Sequence, residues 1–296
     1  MKVLLTGASG FLGQYVWACL RHHGIDTVAA GRRLPETVAP TDFIVADLLA
    51  TENFAALVKA SGATHLLHLA WYAEHGKYWT SPLNLRWVNA TTRLVEAFCE
   101  AGGQQVVVAG TCAEYDWSYD YCREDNTPLN PATLYGTAKD ATRRLVMAVC
   151  AQHQVSCSWG RLFLPFGTGE SRQRLIPSLI EVFRGKRPPF GVNASAYRDF
   201  LHASDVAEGF IALLKNGKSG AYNISSGQPV QLAEVVKELA RLLESDPQVV
   251  LDLVTERPGE PRLLVGENLK LKALGWQPAL SLVQGLELTV REAQPR

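Results

Sequence analysis

The chain has 296 residues, of which 47% are hydrophobic and 20% charged, with 29 Lys+Arg against 29 Asp+Glu. That length and apolar content suit one large α/β unit or two unequal ones around a well-buried core. A net charge of zero and no basic run give no electrostatic footprint for nucleic acid or an anionic membrane, and no apolar run nears the ~20 residues that span a bilayer.

The first predicted strand, 2–6, begins almost at Met1, with nothing ahead of it that reads as a signal or transit peptide. Cysteines at 19, 99, 112, 122, 150 and 157 form no CxxC pair and no metal spacing with the histidines. The expectation is a soluble, cytoplasmic protein with free and mostly buried thiols. The strand runs into Thr6-Gly7-Ala8-Ser9-Gly10-Phe11-Leu12-Gly13, and a helix is predicted over 11–23. In a strand–turn–helix context three such glycines serve a tight reversal, close approach of backbone to a pyrophosphate, and close helix–sheet packing. The free N–H groups of the helix start, with Ser9, Phe11 and Leu12 around them, face that anion.

A second strand, 27–31, ends at Gly31-Arg32-Arg33. A site for NAD usually places an acid here for the ribose hydroxyls. Two guanidinium groups instead suit a phosphate, so the spacing favours NADP, with NAD possible. After the third strand, 43–46, Asp47 is placed either to bond an adenine amino group or to cap the following turn. Leu48, and Leu69 and Ala70 at the end of a fourth strand over 65–70, complete the expected dinucleotide wall.

A helix over 83–101 puts Leu85, Val88, Leu94, Val95 and Phe98 on one side. The run 105–110 is continuously apolar, as in a strand buried on both faces, and ends at Thr111. A long helix, 134–153, opens with Tyr135-Gly136-Thr137-Ala138-Lys139, and a strand follows over 155–162. The i, i+4 spacing puts Tyr135 and Lys139 one turn apart on one face. A phenol titrates near ~10, and a cation about 4 Å away is worth roughly 4 kcal/mol at an effective dielectric of ~20. That would bring Tyr135 near ~7, where proton transfer is most efficient. Thr111, at the carboxyl end of its strand, can hold a substrate oxygen beside Tyr135. Strands alternating with helices imply a parallel sheet with right-handed crossovers, a Rossmann-type α/β fold.

Beyond about 165, Pro and Gly become dense, and shorter elements follow: helices over 175–184, 205–215 and 232–243, strands over 198–202 and 221–224. The predicted organisation is a dinucleotide-binding domain over 1–165, with later strands contributed from the second half. A substrate-binding domain over 166–296 follows, with an interleaved boundary.

TGASGFLG at 6–13, HLAW at 68–71, GTCAEYDW at 110–117, YGTAK at 135–139, RDFLHASDVA at 198–207 and RPGEP at 257–261 together resemble the extended short-chain dehydrogenase/reductase family, nucleotide-sugar epimerase/dehydratase branch. The resemblance covers nearly the whole chain. It implies a Rossmann domain with a small C-terminal substrate domain, and Tyr135, Lys139 and Thr111 as the catalytic set. It further implies Arg198 and Arg257 on a substrate diphosphate, a base-lining segment at Leu175 and Pro177, and a geometric role for Asn89. Dimerisation is implied through the helices near 83–101 and 134–153. The acidic pair that follows the catalytic Thr in sugar-nucleotide dehydratases is replaced by Cys112 and Ala113, which argues against dehydration. Glu114, one place off, is expected to face away along the turn, and Cys112 to be structural.

The reading that follows is an NADPH-dependent reductase of a 4-keto-6-deoxy sugar on a nucleotide diphosphate. The alternatives are an NAD-dependent 4-epimerase using the same residues, a reductase of a small carbonyl compound and, from another class, a non-catalytic dinucleotide-binding regulator. The partners expected are the nucleotide diphosphate sugar and a second copy of the chain, with no metal, nucleic acid or membrane. Trp71, Tyr72, His75, Tyr78, Trp117 and Tyr119 are candidates to shape the pocket.

Overall fold

Short runs of Val, Leu and Ala alternate with amphipathic stretches through the first two thirds of the chain. In the computed structural model, which describes residues 1–253, 255 and 259–293, each run becomes a parallel strand. They are β1 (Lys2–Thr6), β2 (Asp26–Gly31), β3 (Phe43–Val45), β4 (His65–His68), β5 (Gln105–Thr111), β7 (Ser156–Leu162) and β11 (Gly220–Ile224). They form one sheet in the order β11-β7-β5-β4-β1-β2-β3, every neighbour parallel, with Leu5 opposite Ala29 on one side and Leu67 on the other. Chain progression reverses between β1 and β4, so a crevice opens at their carboxyl ends, where ligands of doubly wound sheets collect.

One face of the sheet packs against α1 (Phe11–His22) and α6 (Ala203–Asn216); the other packs against α2 (Phe54–Ser61), α3 (Leu83–Glu100) and α4 (Leu134–Gln152). Every residue of β5 is buried, as its unbroken apolar run requires. Helix starts are set by side chains: Asn53 Oδ1 accepts the Ala56 amide, Thr133 Oγ1 that of Gly136, and Ser281 and Gln284 form a reciprocal capping box. Gly10 caps α1 without a side-chain bond, leaving those first amides to a ligand.

The remaining elements are β6 (Tyr121–Cys122), β8 (Leu164–Phe166), α5 (Leu175–Phe183), β9 (Tyr197–Arg198), β10 (Phe200–His202), β12 (Val230–Gln231), α7 (Leu232–Leu242), α8 (Gln248–Leu251), β13 (Leu263–Gly266), α9 (Leu269–Lys272) and α10 (Leu282–Glu292). They build two small sheets, β10-β8 and β12-β9-β13-β6, with a core of their own that includes Phe166, Leu179, Val235, Leu239 and Leu286. The strand expected over 198–202 is two strands in different sheets, broken at Asp199. The Asp199 carboxylate accepts the amides of Ser226, Gly227 and Gly266 at 2.7, 3.0 and 3.2 Å, tying the break to β13 and to the loop before β12. All six cysteines are buried and free, as expected. Among the described residues no helix is long and apolar enough to cross a membrane.

Candidate active site

The crevice is a cleft of about 730 Å³ walled by the glycine turn, the ends of β5 and β7, the start of α4 and the loop before α5. Gly7 has φ +81°, and a Cβ there would lie 2.8 Å from the Ala70 amide nitrogen. A Cβ on Gly13 would sit 1.9 Å from Gly7 O, so α1 meets the turn at a distance no side chain permits. Gly7, Gly10, Phe11, Leu12, Gly13 and Leu69 line the cleft, and the cradle fits a pyrophosphate on the α1 N-terminus. Ser9 is exposed at the tip of the turn, and Leu48 is buried in the core rather than offered to a ligand. Arg32 and Arg33 stand exposed beyond β2 and form no salt bridge among the described residues. Asp47 Oδ1 accepts the Leu49 amide at 3.0 Å, which is the turn-capping role.

Tyr135, Lys139 and Thr111 converge on the same cleft. The turn at Thr111 is held by its hydroxyl accepting the Ala113 amide, while the Glu114 carboxylate accepts the Thr111 amide. The Tyr135 amide bonds Trp79 O at 3.1 Å, and its ring packs edge-on against Tyr78 and Trp79 at 4.8 and 5.7 Å between centroids. The electrostatics overturn one expectation. Burial pushes the Tyr135 phenol above its ordinary value, and a hydrogen bond with Thr111 offsets only part of that. The Lys139 side chain donates instead to Ala109 O at 2.8 Å and lies 4.1 Å above the Trp71 ring. Burial pulls Lys139 itself down to about 7, partly opposed by Glu114.

Glu114 does not face away along the turn, as expected, but points inward and is fully buried. Its Oε1 accepts Trp159 Nε1 at 2.9 Å and its Oε2 accepts Arg161 Nε at 2.7 Å. Arg161 donates on to the Tyr115 hydroxyl at 2.9 Å, and Tyr115 donates to Asn223 Oδ1 at 2.8 Å. The turn places residue 114 beneath the strand end, where only a paired carboxylate can be buried without a large penalty. Cys112 lines the cleft with its thiol pushed well up by burial, so it keeps its proton at neutral pH.

On the substrate side, Arg198 is buried and lines the cleft, donating to Glu260 Oε1 at 2.7 Å and to the Tyr197 and Pro261 carbonyls at 2.7 and 2.8 Å. Arg257 lies outside the described residues. Leu175 and Pro177 are not among the cleft residues: Leu175 packs on the small core, and Arg174, the N-cap of α5, takes the place at the wall. Asn89 is exposed. The buried amide of α3 is Asn84, which joins Trp71 Nε1 to the Tyr78 and Ser81 carbonyls. Of the aromatic candidates Trp71, Tyr78 and Trp117 line the cleft; Tyr72, His75 and Tyr119 do not. Trp79, Glu170 and Arg174 line it with no motif to mark them, since each sits in an irregular loop or at a helix start. Away from the cleft, the ligand atoms of Cys19, His23 and Glu208 lie within 4.8 Å of one another. Their mutual hydrogen bonds, and Lys215 on His23 Nδ1, satisfy them without an ion.

A parallel sheet reversing at β1 and β4, a glycine cradle on α1 and a Tyr–Lys pair at the crevice define an enzyme of the short-chain dehydrogenase/reductase type. The chain belongs to the NAD dependent epimerase/dehydratase family, which matches residues 3–225. It is 25% identical to human dTDP-D-glucose 4,6-dehydratase over 98% of this chain and 89% of the relative. It is 26% identical to the UDP-glucose 4-epimerase of Azospirillum brasilense over 96% and 89%. The solved structure of MoeE5 in complex with UDP-glucuronic acid and NAD superposes with a TM-score of 0.86 at 29% identity, covering 98% of both chains.

Proposed function

We propose that the protein reduces a ketone on a nucleotide-linked sugar with NADPH, the substrate class being a 4-keto-6-deoxy sugar nucleotide. The observation that carries the reading is the convergence of Thr111, Tyr135 and Lys139 on the cleft that the glycine turn also lines, with the buried Tyr135 phenol, raised by burial, as the proton donor. Reduction needs only a donor, because the alkoxide formed is a far stronger base than a phenolate. Epimerisation needs the same group to take a proton and later return it.

The nicotinamide, when bound, supplies the hydride. The chain supplies the rest. Thr111 holds the carbonyl oxygen, and Tyr135 delivers its proton to that oxygen. Lys139, which donates to Ala109 O at 2.8 Å, would hold the nicotinamide ribose. Arg32 and Arg33 would hold the 2′-phosphate of NADP, and Arg198 would hold the substrate diphosphate. Elimination of water lacks an acid, since both oxygens of Glu114 are committed to Thr111, Trp159 and Arg161. Exposed Leu85 on α3 and Leu145 on α4 support the expected homodimer through those helices, which light scattering on a Leu145→Glu variant tests.

A second reading, an NAD-retaining 4-epimerase, is favoured by the likeness to a UDP-glucose 4-epimerase and to a structure holding NAD. The deciding experiment follows NADPH absorbance with 4-keto-6-deoxy sugar nucleotides. Cofactor oxidation with transfer of labelled hydride to the sugar is expected. Purification with bound NAD, and interconversion of UDP-glucose and UDP-galactose without added cofactor, would reverse the assignment.

A further inference from the structure

Lys139 is a cation buried without a carboxylate. The residue is 4% exposed and makes no salt bridge among the described residues. Glu114, the acid that acts on its charge, has both oxygens committed to the Thr111 amide, the Trp159 indole and the Arg161 guanidinium. An ammonium taken out of water without compensation is costly. Its compensation is Ala109 O at 2.8 Å and the face of Trp71, whose ring centroid lies 4.1 Å from Nζ. At that distance an aromatic face attracts a cation, and an indole does so more strongly than a phenyl or phenol ring. Ala109 O is a backbone group that any residue there would offer; the ring comes from one side chain.

That ring is braced from behind. Trp71 lies in the irregular stretch after β4 and lines the cleft. Its Nε1 donates to Asn84 Oδ1 at 2.9 Å. Asn84 is fully buried in α3 and donates in turn to the Tyr78 and Ser81 carbonyls at 2.7 and 2.9 Å. Trp87, also of α3, stacks on the indole with 6.0 Å between centroids and 28° between planes. A loop side chain held at its polar edge and along its ring has one orientation, and here that orientation turns the face to Nζ. Tyr78, held by the same amide, packs on the Tyr135 ring at 4.8 Å.

We propose that Trp71 is a positioning residue for Lys139: its indole face holds the ammonium in the cleft beside Tyr135, in place of the carboxylate partner that the site lacks. The reaction it serves is that of the functional reading above. The other groups around the ammonium do not replace the ring. His68, at the end of β4, is drawn down to about 3 by burial and is neutral. Burial keeps the protons on Cys112, after β5, and on Tyr135 of α4. Arg143 of α4 pairs with Asp140 at 2.7 Å and lies 4.0 Å from Glu114, and Arg161 of β7 pairs with Glu114 at 2.7 Å. Burial pulls Lys139 down to about 7 against the pull of Glu114. The ring acts in the same sense as Glu114, favouring the charged form.

The test reads the lysine itself, by NMR of the full chain carrying 13C at lysine Cε, titrated from pH 5 to 10 without substrate. The resonance is identified by its absence from K139M. W71L removes the ring, and W71F keeps a smaller ring face. The expected Lys139 midpoint is about one pH unit lower in W71L than in wild type, with W71F between them. In NADPH oxidation the same shift lowers W71L turnover roughly tenfold at pH 8 and little at pH 5.5, whereas loss of packing alone would lower it alike at every pH. A midpoint unmoved in W71L overturns the proposal, as does a loss of turnover that does not depend on pH. A midpoint that moves as expected, in a protein that reduces no sugar nucleotide, upholds the Trp71–Lys139 contact and removes the functional reading instead. If W71L does not fold, the wild-type chain carrying fluorinated tryptophans decides the matter. Fluorine withdraws charge from the ring face, so the Lys139 midpoint should fall stepwise as fluorines are added, and a constant midpoint refutes the proposal.

Discussion

Two carboxyl groups beside the cleft live by opposite rules. Glu114, under the end of β5, gives both oxygens to the Thr111 amide, the Trp159 indole and the Arg161 guanidinium. Glu170, in the loop before α5, has a buried oxygen with no partner among the described residues and is raised by burial to about 8. The first is a strut: its pairing fixes the turn that carries Thr111 and leaves nothing for chemistry. The second carries an unspent hydrogen bond at a binding wall. Burial alone therefore says little about a carboxylate's role; what decides is whether its lone pairs and proton are already used.

The largest expected effect comes from breaking the strut. Glu114→Ala leaves Arg161 buried and unpaired, and removal of one member of such a pair costs about 3–5 kcal/mol. Urea unfolding reads this directly, and a loss under about 1 kcal/mol would show that the network is not structural. Next is Tyr135→Phe, which deletes the donor while leaving the packing against Tyr78 and Trp79. Turnover is expected to fall at least ~10²-fold with little change in KM, measured by steady-state NADPH oxidation; a variant with wild-type turnover removes the phenol from the mechanism. Smaller again is the double change Arg32→Ala with Arg33→Ala. Charge-assisted bonds of about 1.5–3 kcal/mol predict a ten- to hundredfold loss of NADP affinity with NAD nearly untouched. Equal weakening of both dinucleotides would place the arginines elsewhere.

The contrast can also be drawn out through pH. Glu170 has a folded pKa of about 8, above its ordinary 4.5. Between those values the folded state holds the proton more tightly than the unfolded one, so stability falls as pH rises through that window. Lys139 works the other way: its folded value of about 7 lies below the ordinary 10.5, so the folded state binds fewer protons between them and stability rises with pH. Denaturant midpoints at pH 5 and pH 8 should show wild type losing ground relative to E170Q. Parallel behaviour of the two proteins would mean that Glu170 does not titrate in that range.

The dinucleotide side was legible because its signals are local. The glycines at 7, 10 and 13 are required by one turn, and the apolar run of β5 by burial on both faces. The Tyr–Lys spacing needs only helix geometry to reach one face. Elements of two or three residues, such as β6, β8 and β12, have no period to read, and their partners lie far along the chain. Asp199 and Asn84 owe their roles to backbone groups brought from other elements, and Arg174 displaced Leu175 and Pro177 at the wall because of where α5 begins.

The amino-acid order on its own determined the parallel sheet, the glycine turn ahead of α1 and the placing of Tyr135 and Lys139 on one helix face, since each follows from the period or spacing of residues within an element or a strand–turn–helix unit. Tertiary structure alone decided the charge states. Whether Lys139 reaches Tyr135 or Ala109, whether Glu114 is paired, and whether Glu170 keeps its proton all depend on desolvation and on partners from distant segments. No spacing along the chain encodes those distances.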